Sequence, residues 1–537
     1  MDYPAEDLTA SERERIAPHV THLDGPVFGL VNLPETVKGA LFARYSRYPG
    51  TLRRLFIDEF ADSLPEASSY EDAEGSRAAE LYERIFVGYG DDSVAQLGGG
   101  HVACEWTSNV LTKLLQRPRL GAYLEQSTRY IAYDQPMPGA AGGSGGSGGG
   151  YRYHRDPSLG PEYAAAMDAL FGAYASSLTV VRAWVEATFP HGDGDSPAAR
   201  ARAVNAKALD LLRGLLPAAS LSHMGIYATG QTYEQLILHL LGHPLPEARH
   251  YGSMVLEAVK AMMPSFVSRI ERPDRGGEWV GYLERRRDAT ERWAARLGLD
   301  RDAAADGRPS VRLLHVDGDE NQLLAALLFE ASVAGEAAAL EAVRGLSAGA
   351  RAEALADLVG ERANRRHRPG RGFEALRYRF EIVSDYGAFR DLQRHRLLTV
   401  QWQGLTPDLG AALPDEVVAA GAGDAYARAL DVSRDEYGRL VDLGRPEAAP
   451  YALCLGYRIR YVLDLNAREA MHLVELRSGR EGHPSYRAIA QEMYAQIAAV
   501  HPAVAGAMTH VDTSGEPRLE RILSEMRTER KVAALEA

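Results

Sequence analysis

The feature that most constrains this chain is an order of segments that occurs twice. An apolar, β-like run at residues 27–31 is followed by helical stretches, an Arg-x-Arg segment, more helix and a long helical tail; the same order restarts at residues 311–316. The two Arg-x-Arg segments are Arg117-Pro118-Arg119 and Arg394-His395-Arg396. A chain of 537 residues exceeds what one compact core accommodates, so a duplicated domain accounts for both the length and the recurrence. The polar, helix-prone stretch beyond Arg272 runs into Asp306-Gly307-Arg308-Pro309-Ser310, a breaker sequence ahead of the second β-like run. This places an N-terminal domain at 1–272, a helical connector at 273–307 and a C-terminal domain at 308–537. Within the first half, residues 138–150 are so rich in glycine that they predict a flexible loop with no packed core of its own.

Composition narrows the functional class. With 46% hydrophobic and 25% charged residues the chain reads as soluble and globular, and no apolar run in the sequence approaches a membrane span. The first residues are acidic and polar, unlike a secretory signal, so a cytoplasmic address is expected. A net charge of -13 argues against broad nucleic-acid or membrane-surface binding but leaves room for a local basic pocket holding a small anion. The two cysteines, Cys104 and Cys454, lie in apolar surroundings and predict buried core thiols. The scattered histidines show no metal-site spacing, and neither a Walker phosphate loop nor a strand-bound Gly-x-Gly-x-x-Gly is present, so no metal is expected.

Three short runs carry candidate chemistry. In the first, Glu125, Ser127 and Arg129 alternate; in an extended segment they share one face and offer an acceptor, a hydroxyl and a guanidinium to one ligand, or else form an exposed polar edge strand. In the second, Arg394 and Arg396 flank His395: two forked phosphate donors around an imidazole, or a basic helix terminus opposing the helix dipole. In the third, Asn466 followed by Glu469 predicts a helix N-cap, with Asn466 and Arg477 on nearly the same face and Arg468 pointing elsewhere. His472 beside that stripe reads as a packed or solvated histidine.

Together these runs resemble R-H-R-x-x-S-x-N-E-x-S-x-R-Y, the signature of the flavin-dependent thymidylate synthases. Arg117, Arg119, Glu125, Ser127, Arg129 and Tyr130 match it in register in the first half, with Pro118 at the histidine; Arg394, His395 and Arg396 match in the second, with Trp402, Gly404 and Thr406 at the Glu, Ser and Arg positions. Arg213 to Pro217 resembles the family's A-R-x-x-L-P, where the second half has Pro450. Asn466, Arg468 and Arg477 match its N-x-R and L-R, where the first half has Thr229, Gln231 and Leu240. Upstream, the run from Gly88 with Asp91 resembles G-H-x-S-V-x-E-H. One half keeps the nucleotide side and the other the flavin side. Leu114 and Asp391 stand where the family keeps a glutamine, although Gln116 and Gln393 follow two residues later.

The resemblance implies an α/β fold of α+β type: two tandem domains, each a mixed sheet with long helices. It also implies methylation of dUMP to dTMP with FAD, methylenetetrahydrofolate and NADPH, in composite sites formed by the two repeats. Under it, Glu125, Ser127, Arg129 and Arg213 bind nucleotide, Arg477 positions it and polarises the uracil as the catalytic group, and Arg394, His395, Arg396, Asn466 and Arg468 bind FAD. Family members are tetramers, so a homodimer of this fused chain is expected. A flavoenzyme acting on C5 of another pyrimidine nucleotide, or a non-catalytic nucleotide- or flavin-binding homologue, is the alternative.

Overall fold

The computed structural model describes residues 3, 6–33, 35–63, 96, 98–135, 150–190, 192, 196–299, 307–515 and 518–536. The run from Gly88 and most of the glycine-rich stretch lie outside them.

Both halves build a four-stranded sheet with the same strand order. The first comprises β1 (Val27–Leu30), β2 (Gly99–Ser108), β3 (Gly121–Glu125) and β4 (Leu221–Thr229), ordered β1-β2-β4-β3. The second comprises β5 (Ser310–Asp317), β6 (Arg377–Asp385), β7 (Leu398–Trp402) and β8 (Arg458–Asn466), ordered β5-β6-β8-β7. Helices dominate the remainder, and the α+β class is as expected. The sheets themselves are not mixed: every strand pair is antiparallel. In the second sheet, β8 buries Ile459, Tyr461, Leu463 and Leu465 and leaves the alternate residues half-buried, the pattern of an antiparallel sheet with one face packed on a core.

The chain forms two compact units that do not follow the linear order. The first contains residues 1–176, 215–304 and 425–454; the second contains 177–214, 305–424 and 455–537. Each unit therefore combines the sheet of one half with a helical segment drawn from the other half. The connector expected at 273–307 forms the helix Glu278–Arg296 within the first unit.

One helix, Pro161–Thr188, is long and apolar enough by length and composition to cross a membrane, which corrects the reading that no such run exists. Along it Tyr163, Met167, Leu170, Phe171, Tyr174, Leu178, Val181 and Val185 are buried at helical spacing, so one face belongs to the protein core. Cys104 and Cys454 are buried free thiols, as expected.

Candidate active site

A polar cluster that gathers several of the predicted residues lies in the second unit. There β6 ends at Asp385, whose carboxylate caps the short helix Tyr386–Leu392 by accepting from the Ala388 amide at 2.8 Å. That helix brings Asp391 to its last turn, and Arg394 and His395 follow at once. Parallel to it in sequence logic, β8 ends at Asn466, whose side chain accepts from the Glu469 amide at 2.9 Å and starts the helix Ala467–Arg477. Two strand-to-helix caps thus aim two helix ends, and Arg394, His395 and Arg477 come together.

Asp391 is the hub. Arg213 Nη1 donates to its Oδ2 at 3.0 Å, and Arg394 and Arg477 lie 3.8 and 4.0 Å from its Oδ1. Arg213 comes from the first half of the sequence, at the end of the helix Pro197–Leu212, and is only 3% exposed. Its helix is seated by Lys207, whose buried ammonium pairs with Glu416 and Glu520, each at 2.8 Å. The Arg213 Nη2 lies 3.9 Å from Asp385 and makes no hydrogen bond, an unmet donor inside the protein. A Cβ on Gly387 would come within 2.9 Å of Arg213 Nε, so any larger residue there would have to displace the guanidinium. Asp385 also accepts from the Ser485 hydroxyl and lines a cavity of about 500 Å3 bounded by Ser384, Arg458 and Glu492.

His395 is fixed at both ring nitrogens. Arg477 Nε donates to His395 Nε2 at 3.0 Å, and because a guanidinium only donates, Nε2 must accept. The proton then sits on Nδ1, facing Glu469 Oε1 at 2.9 Å. Burial first, then the charges of Arg477, Arg368 and Arg396, hold the imidazole well below the usual histidine range, so it is neutral. Burial likewise pushes Glu469 up, and lowers the Arg477 guanidinium from its ordinary value against the pull of Asp391. Arg477 stands 5.5 Å over the Tyr486 ring.

His395, Glu469 and His472 place one ligand atom each within 4.8 Å of one another, a grouping that could hold a metal ion and that sequence spacing did not reveal. Only Glu469 and His472, one turn apart, were adjacent in sequence. Burial first, then Arg368 beside both rings, lowers both imidazoles, His472 to about 4, and the same positive charge opposes a cation there.

The remaining predicted residues fall elsewhere. Arg468 donates to the Pro369 carbonyl at 3.0 Å and pairs with Glu374 at 3.6 Å, while Arg396 is half-buried beyond the His395 turn. In the first unit Glu125 closes β3 as a buried carboxylate 3.0 Å from both Lys113 Nζ and Gln116 Nε2. The extended face expected for Glu125, Ser127 and Arg129 is not formed. The strand stops at Glu125, and Arg129 lies in a turn in which its amide donates to Ser127 Oγ at 3.2 Å. Sequence reasoning missed Asp385, Gly387 and Ser485, and it met Asp391 only as a departure from a pattern.

The model of the thymidylate synthase complementing protein family, Thy1, matches residues 52–265 and again residues 316–503. The chain belongs to that family. Full-length relatives share the doubled length: the UPF0159 protein of Chlamydia muridarum (strain MoPn / Nigg) is 36% identical over 534 residues, 97% of this chain and 98% of that one. The UPF0159 protein Ta1429 of Thermoplasma acidophilum is 31% identical over 533 residues, 93% of this chain and 99% of that one. Among solved structures, the UMP/dUMP methylase PolB from Streptomyces cacaoi bound with 5-Br dUMP is 21% identical with a TM-score of 0.30, over 39% of this chain and 98% of that chain. The two family matches follow the sequence repeats, whereas the compact units exchange helical segments between them.

Proposed function

We propose that this family member methylates dUMP to dTMP with FAD, methylenetetrahydrofolate and NADPH, as a cytoplasmic enzyme of nucleotide biosynthesis whose sites draw on both repeats. The observation that supports this most is Arg213: a first-repeat arginine, buried in the second unit beside Arg394 and Arg477 of the second repeat, with one guanidinium nitrogen lacking a hydrogen bond. A buried cation with an unmet donor is costly unless an anionic ligand completes it.

In this reading Arg213 takes the nucleotide phosphate, which competes with Asp391 for the guanidinium. Arg477, locked by His395, presents its guanidinium to the pyrimidine carbonyl and stabilises negative charge that develops on the ring. His395 is a positioning residue: its neutral Nε2 orients Arg477, and Glu469 fixes its tautomer. The residues fit a flavin on the donor chemistry of Arg394 and Arg396, whose forked guanidiniums suit a pyrophosphate. Asn466 and Arg468, held to a helix cap and to Pro369, act by shaping the flavin side. Bound FAD supplies the reducing equivalents that convert a transferred methylene to a methyl group. In the first unit Ser127 and Arg129 are assigned to nucleotide, with Glu125 holding the start of their turn through Lys113 and Gln116.

The deciding experiment is growth rescue of a thymidine auxotroph, together with the absorbance spectrum of the purified protein. Rescue by the parent and its loss in folded Arg213→Ala and Arg477→Ala variants are expected. Rescue undiminished by both changes would refute the composite site, and methylation of UMP in place of dUMP would reassign the substrate.

A further inference from the structure

The first repeat lacks the histidine, glutamate and arginine that form the polar cluster of the second, and a cavity lies at the same loop and helix. By strand order, Pro118 stands where His395 stands, Thr232 where Glu469 stands and Leu240 where Arg477 stands. Three interacting polar side chains are matched by a proline, a threonine and a leucine. Between the Arg117-Pro118-Arg119 loop and the helix Gly230–Leu241 lies a cavity of about 480 Å3. A second, of about 470 Å3, adjoins it across Gln231, Gln235 and His239 and is walled by the connector helix through Trp279, Leu283 and Arg286. Each is within the size range of small-ligand sites.

The lining is cationic in a protein of net charge -13. Arg117 and Arg119 border the first cavity, and Arg275 and Arg286 the second. Among the described residues, the carboxylate on these walls is Glu234, which pairs with Arg269, whose Nη2 lies 2.7 Å away. Burial and then the charge of Arg286 lower the Arg117 guanidinium, and the charges of Arg117 and Arg286 add to burial in lowering His239. Trp279, 52% exposed and edge-on to Tyr282 at 5.8 Å, adds an aromatic wall, and the carboxamides of Gln231 and Gln235 add paired donors and acceptors. The connector that supplies Trp279 and Arg286 lies outside both family-matched segments.

We infer that these adjoining cavities form a second ligand site in the first unit, taking a nucleoside monophosphate: phosphate toward Arg117 and Arg286, base toward Trp279 and the Gln231 and Gln235 amides. The site is separate from the residues assigned to thymidylate formation, and the connector helix is the part of the chain that builds it.

The test uses the full chain with AMP, which carries no uracil, and with inorganic phosphate as a separate arm. AMP is expected to change the fluorescence of the parent but not of Trp279→Phe, and Arg286→Glu to weaken AMP binding about tenfold or more by calorimetry. Arg286→Gln is expected to weaken it less while leaving the ligand-free melting temperature unchanged. Phosphate competing with AMP at higher concentration supports the placement of the phosphate. The inference is overturned if AMP leaves Trp279 unperturbed, if Arg286→Glu binds AMP as tightly as the parent, or if FAD occupies the site in preference to AMP.

Discussion

Arg213 shows how much one position depends on its neighbours. Its guanidinium is held by Asp391, lies within ion-pair distance of Asp385 and would have to shift if residue 387 carried a Cβ. Gly387→Ala is therefore expected to displace Arg213 and raise the KM for dUMP about tenfold or more, the loss expected for one charge-assisted hydrogen bond, with a smaller effect on kcat. Steady-state kinetics on the purified variant checks this; an unchanged KM would separate Arg213 from the substrate. His472 gives a second residue-level test. Its folded-state pKa of about 4 lies below the ordinary histidine value, so the unfolded chain binds the extra proton first as pH falls. This contribution is present above about pH 6.5 and is lost as pH drops toward 4. Denaturant unfolding at pH 7 and pH 4.5 should show a smaller acid loss in His472→Asn than in the parent.

At the scale of elements, both halves use one device: a strand whose last residue caps the following helix. Ser108 and Asp385 cap after β2 and β6, and Thr229 and Asn466 cap after β4 and β8. The cap sets the helix direction, and the helix end sets the side chains that meet. Asn466→Ala should cost about 1 kcal/mol in stability, the usual loss for an N-cap, and should loosen Arg477 as well. Chemical denaturation measures the first effect; a fall in kcat beyond what the stability change explains would report the second. The Asn466 cap was legible in the sequence because Asn-x-x-Glu is a local signal. The turn at Ser127 to Arg129 was not, because alternation of polar residues is shared by a strand and by a hydroxyl-closed turn.

At the scale of the whole molecule, the exchange of helical segments makes each compact unit depend on both halves of the chain. The second unit needs residues 177–214, which bring Arg213 to Asp391, Lys207 to Glu520 and Arg202 to Glu525. Fragments 1–304 and 305–537 expressed separately are expected to be insoluble or partly folded, and soluble when co-expressed; a stable, monomeric 305–537 would contradict this. Lys207→Ala, which strands Glu416 and Glu520, should cost about 3–5 kcal/mol, measurable as a lowered melting temperature. The proposed homodimer predicts twice the chain mass in analytical ultracentrifugation.

The duplication, the α+β class, the buried cysteines, the family signature and the helix start at Asn466 follow from the sequence itself, since each is written in local pattern, spacing or composition. Tertiary structure decided what those patterns could not carry. Arg213 and Asp391 are far apart in the chain, so no periodicity could pair them. Glu125 meets Lys113 and Gln116, on the preceding helix and turn, a contact that polar alternation does not reveal. Both ring nitrogens of His395 are engaged, by Arg477 and Glu469, a pairing that its place between Arg394 and Arg396 does not reveal. Residue type shows what a side chain can do, whereas the folded chain settles which partner reaches it first, because burial leaves each polar group only the partners within about 3 Å.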